Sequence, residues 1–124
     1  MRRFFLAVSA AIVLPAAFAA SPFDGKWNVH IDHMVHGSTE VVLTDGTGTF
    51  TTYASGVFAK ENPCANKRIP AVVKAASDTE VTIAVDGNSL LKGCLTGSLV
   101  LHPAADGAWT GTLADGTAMT WTRK

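Results

Sequence analysis

Charge is scarce in this sequence, and what there is cancels: 10 Lys and Arg face 10 Asp and Glu, together 16% of 124 residues. That balance excludes a nucleic-acid protein working by phosphate neutralisation, which needs a basic excess or stripe. Cysteine is reduced to two residues, and no Cys-x-x-Cys step exists to suit a zinc knuckle or a redox centre. No serine stands in a Gly-x-Ser-x-Gly elbow. The Asp-Gly steps at 45–46, 86–87, 106–107 and 115–116 give their acids a turn-forming reason to be there. With no acid–base or nucleophile constellation left, the chain reads as non-catalytic. Its length allows one domain and no large cofactor fold.

Long apolar runs are missing too, except at the start. Arg2 and Arg3 precede an apolar stretch over residues 4–14 that only Ser9 interrupts. Pro15 breaks it, and Ala17-Phe18-Ala19 sets small residues at the −3 and −1 positions of a cleavage site. Eleven residues are too few to span a bilayer, which takes about 20. Residues 1–19 therefore read as a secretory signal peptide, and 20–124 as a single β domain in the periplasm or secreted, with no membrane insertion after cleavage. Without residues 1–19 the chain has 8 basic and 10 acidic side chains, so the exported product is slightly acidic. An oxidising compartment makes the even pair Cys64 and Cys94 a disulfide.

What the remainder does have is glycine, threonine and a two-residue apolar period. Over 26–35, Trp27, Val29, Ile31, His33 and Val35 share one face, which predicts a long first strand. His33, on that apolar face, reads as a core or rim histidine. Asp45-Gly46 predicts a hairpin that sets Val41 opposite Phe50 and Leu43 opposite Gly48, with Thr52 on the same core face. Strands are expected at 69–74, 79–85 and 97–102, and a short helical turn at 88–92 that Gly93 ends. The last hairpin has two possible registers. A three-residue loop, Ala114-Asp115-Gly116, pairs Trp109 with Trp121 and Gly111 with Met119, gathering the large residues on one face. The expectation is an all-β, small antiparallel β-barrel of seven to eight strands with one disulfide, or failing closure a two-sheet sandwich.

Phe23-Asp24-Gly25-Lys26-Trp27 near the start and Trp121-Thr122-Arg123 at the end carry a resemblance. A Gly-x-Trp opening the first strand resembles the lipocalin and avidin-like (calycin) barrels. In lipocalins an arginine of the last strand packs over that tryptophan. The resemblance implies structural roles for Gly25, Trp27 and Arg123, the last two meeting by cation–π stacking. The opening also resembles a group of small secreted bacterial proteins beginning Phe-Asp-Gly-x-Trp.

Three functional expectations follow. The first is an exported, non-catalytic binding protein of the bacterial cell envelope, whose partner is an envelope protein or a small ligand. The second is a proteinaceous inhibitor or immunity factor of an envelope hydrolase. It would present the loop around Cys64, where Lys60, Lys67 and Arg68 outweigh Glu61. The third is a metal-binding periplasmic protein. On a continuous strand, His30, Asp32, Met34 and His36 share the solvent face, and two neighbours could take one Zn²⁺ or Cu ion with a third ligand from the next strand. No other cofactor is implied.

Overall fold

The computed structural model describes residues 22–34 and 36–124; the expected signal peptide lies outside them. Eight strands follow one another: β1 (Gly25–Ile31), β2 (Ser38–Thr44), β3 (Thr47–Tyr53), β4 (Ile69–Ala76), β5 (Val81–Asp86), β6 (Thr96–Pro103), β7 (Trp109–Thr112) and β8 (Ala118–Arg123). A short helix, α1 (Gly56–Glu61), stands between β3 and β4. Each strand pairs antiparallel with the next, and β8 returns to pair with β1, so the sheet is a closed barrel. Closure leaves none of the described strands with an unpaired edge, whereas a two-sheet sandwich would have left some.

Turn chemistry fixes the registers. Asp45 and Gly46 both take positive φ, the backbone of a two-residue hairpin turn, and Val41 meets Phe50 while Leu43 meets Gly48. At the last hairpin Trp109 pairs with Trp121 and Gly111 with Met119, with Gly116 at φ +88° completing the three-residue loop. Inward positions carry the core: Trp27, Val41, Leu43, Phe50, Ile83, Leu101, Met119 and Trp121 are each at most 3% exposed. Thr52 points inward as expected, and its hydroxyl meets that of Thr39 at 2.9 Å, so the polar pair is satisfied. The interior is filled by its own side chains, as small barrels often are.

One end of the barrel is sealed by aromatic rings. Phe23 stacks on Trp27 at 4.3 Å and meets Trp109 edge-on at 5.3 Å. The Trp27 indole N–H donates to the Phe23 carbonyl, so the ring is buried without an orphaned donor. Arg123 lies over the other side of this cluster, its guanidinium carbon 4.3 Å from the Trp27 ring centroid. It also donates to the carbonyls of Asp24 and Pro22, holding the entering chain across the barrel mouth. The Asp24 carboxylate in turn accepts from the N–H groups of Asp45 and Gly46, tying that segment to the first hairpin.

The first strand is shorter than its alternation predicts. It ends at Ile31; Asp32 and His33 form a turn, with His33 at φ +68° and exposed. His33 is therefore outside the core, in a turn at the barrel's rim. The chain has reached the end of the barrel, where the Asp32 N–H still bonds the Ala118 carbonyl and nothing further remains to pair with. The 88–92 turn is a 3₁₀ turn over Gly87–Ser89, capped by the Asp86 side chain, followed by a bend through Leu91.

Candidate functional site

Strand alternation sends four connections to the end opposite the aromatic seal: residues 32–37, 54–68, 87–95 and 113–117. Two of them are joined covalently. Cys64 and Cys94 form a disulfide across a separation of 30 residues, and Cys94 is buried at 4% exposure, so the bridge anchors both loops against the core. No free cysteine remains among the described residues.

The 54–68 connection is held in shape by a small set of polar bonds. Asn66, at φ +64°, accepts from the Ala54 N–H through its side-chain oxygen and donates back to the Ala54 carbonyl. Its own N–H reaches the Thr52 carbonyl of β3. Between these ties rises α1, a turn and a half of helix that buries none of its residues. A helix this short gains little from its own hydrogen bonds and normally depends on a packed face. Here its apolar side chains are left outside: Val57 is 57% exposed and Phe58 38%. Leu90 and Leu91, in the loop bonded to it through the disulfide, are exposed at 47% and 38%.

An open cleft of about 460 Å³ lies beside α1, lined by His36, Gly37, Tyr53, Ala54, Ser55, Phe58 and Asn66. His36 stacks on Phe58 with ring centroids 3.7 Å apart, and Tyr53, 46% exposed, supplies a third ring. Glu40, on β2, has its carboxyl held below the ordinary range chiefly by the Lys124 ammonium at 2.7 Å. Lys60, Lys67, Arg68 and Lys92 are distributed over the two disulfide-linked loops, and none of them forms an ion pair among the described residues. The only acid in the 54–68 connection is Glu61.

The sequence-predicted residues divide between the two ends. Gly25, Trp27 and Arg123 meet at the sealed end, with Gly25 at φ +128° passing the Arg123 guanidinium where a Cβ would collide with it. Lys60, Lys67 and Arg68 belong to the opposite end. The row His30, Asp32, Met34 and His36 is broken by the turn at Asp32 and His33. His30 and Asp32 remain neighbours, with Nε2 and Oδ1 3.5 Å apart. Met34 lines a shallow groove of about 270 Å³ with His30, Asn28, Thr120 and Thr122, and His36 turns instead to Phe58. Among the described residues no group of three or more His, Cys, Asp or Glu is gathered as a metal site. Tyr53 and Phe58 were not legible as site residues, since only the fold brings them beside His36.

Comparison with protein-family models, with curated proteins and with solved structures finds no match to this chain.

Proposed function

We propose that this chain is an exported, non-catalytic binding protein of the bacterial cell envelope, acting in the periplasm or outside the cell. Its partner is held at the open end of the barrel, not inside it. The observation that carries this reading is the contrast between the two compartments. A lumen occupied by Trp27, Phe50, Met119 and Trp121 has no space for a small ligand, whereas the open end leaves rings and unpaired cations in water. Loops on a rigid scaffold are where recognition concentrates, and the disulfide makes these loops part of the scaffold. The disulfide, and the lack of any helix among the described residues long and apolar enough to cross a membrane, accord with export.

The unpaired charges Lys67 and Arg68, pinned beside Cys64, favour a second reading, a proteinaceous inhibitor or immunity factor that offers this loop to an envelope hydrolase. Both readings are tested by incubating the immobilised, oxidised protein with an envelope extract and identifying retained material by mass spectrometry. Retention that is lost in Phe58→Ala or in the Lys67→Glu/Arg68→Glu variant supports the open-end site, and a single retained hydrolase, inhibited on binding, supports the second reading. Retention unaffected by these changes overturns the assignment of the site.

A further inference from the structure

The cleft beside α1 has side chains that the barrel does not need for folding, and their chemistry points to a class of ligand. His36, Tyr53 and Phe58 present ring surface to an open groove, where leaving it in water is unfavourable and a partner could cover it. The groove is not purely apolar. The Ser55 hydroxyl occupies the position before α1 yet makes no capping bond, so it is free for a ligand, whereas both faces of the Asn66 amide are committed to Ala54 and form a fixed wall. Lys60, Lys67 and Arg68 follow the groove residues Phe58 and Asn66 by one or two positions in the chain, with a single acid, Glu61, among them.

A saccharide unit has the complementary character: flat faces of C–H bonds that cover aromatic rings, and a rim of hydroxyls that exchange hydrogen bonds with side-chain hydroxyls and backbone. The unpaired cations add a requirement for negative charge on the chain. A protein partner fits less well, because a stable interface of about 800 Å² per side is built on a fully enclosed apolar centre with charged residues depleted there. Here the rings are exposed, and three cations lie within two residues of the groove's lining in the chain.

We propose that the cleft formed by His36, Tyr53, Ser55 and Phe58 binds an anionic glycan, with Lys60, Lys67 and Arg68 meeting its carboxylate or phosphate groups. This rests on the open-end reading above and specifies its ligand.

The test is an NMR titration of the ¹⁵N-labelled, oxidised protein with three probes: oligogalacturonate, a phosphate-linked glycerol–sugar oligomer, and maltoheptaose as the neutral control. The expected result is amide shifts confined to residues 36–37, 53–58 and 66–68 with one or both acidic probes, and none with maltoheptaose. The arm that responds identifies whether carboxylate or phosphate is read. Phe58→Ala, at an exposed site that leaves the core intact, should weaken binding roughly tenfold, as should Lys67→Glu/Arg68→Glu, each with an unchanged thermal midpoint. Raising the salt several-fold should weaken the acidic probes further. Equal binding of maltoheptaose overturns the charge requirement. No shift with any probe, while the envelope extract still yields a protein held through the same residues, overturns the glycan and leaves the open-end site standing. No shift and no retained partner overturns both.

Discussion

Arg123 of the last strand lies over Trp27 of the first, 4.3 Å from the ring centroid, and the same guanidinium donates to the carbonyls of Pro22 and Asp24. The contact joins the two strands whose pairing closes the barrel and holds the entering segment, residues 22–24, across its mouth. Arg123→Ala should lower unfolding free energy by about 1–2 kcal/mol, the sum of an exposed cation–π contact and charge-assisted bonds in partly wet surroundings. Arg123→Lys should recover only part of this, because a compact ammonium lacks the planar, pre-organised fork that reaches both carbonyls while stacked on the ring. Urea denaturation followed by tryptophan fluorescence measures both, and equal stability of all three proteins would remove the closing role.

Gly48 faces inward opposite Leu43, and a Cβ there would overlap the Val42 carbonyl oxygen and crowd the Leu43 backbone. Backbone cannot move aside as a flexible side chain can. Gly48→Ala should therefore cost about 3 kcal/mol. Gly56→Ala meets open space and bears only the strain of φ +60°, about 1 kcal/mol. Thermal unfolding of the two variants side by side tests the contrast.

The disulfide closes a loop spanning 30 residues, and the chain-entropy estimate for such a loop is about 3.5 kcal/mol. Cys64→Ser/Cys94→Ser should lose that much in denaturant titration. The loss should come with broadened amide signals in the 54–68 and 87–95 loops, while strand resonances of the sealed end stay sharp. Uniform broadening throughout the barrel would instead assign the bridge to the core.

Glu40 and Lys124 form an ion pair at 2.7 Å that lowers the Glu40 carboxyl below its ordinary value and raises the Lys124 ammonium above its own. For a carboxyl lowered in the folded state, the associated stability is present above the unfolded value and is lost as pH falls through the folded one. Replacing Lys124 by Met should bring the Glu40 titration midpoint back up, as read by carboxyl-carbon NMR. A midpoint that does not move would remove Lys124 as the group that holds the charge.

The barrel was readable because local and global requirements agree. Asp-Gly turns, strict alternation and the placement of Trp109 and Trp121 all lead to one register. The first strand was over-read because His33 and Val35 continue the alternation; period alone carries no information about where the partner strand stops. The open end was less legible. Helix α1 lacks the periodic apolar stripe that marks a packed helix, having no face to pack, and the meeting of His36 with Phe58 depends on two loops converging from different hairpins. The same turn at Asp32 and His33 that shortened the strand drew His36 away from His30, so the row read as a metal face became parts of two different surfaces.

Arg123 also settles how the molecule can be held. It brings Pro22 against the last strand, and the Lys124 N–H bonds the Lys26 carbonyl, so both ends of the described barrel emerge side by side at the sealed face. A tether attached at either point would therefore suspend the barrel with its cleft facing outward. A biosensor chip or affinity resin coupled at Lys124 would present the recognition surface to solution.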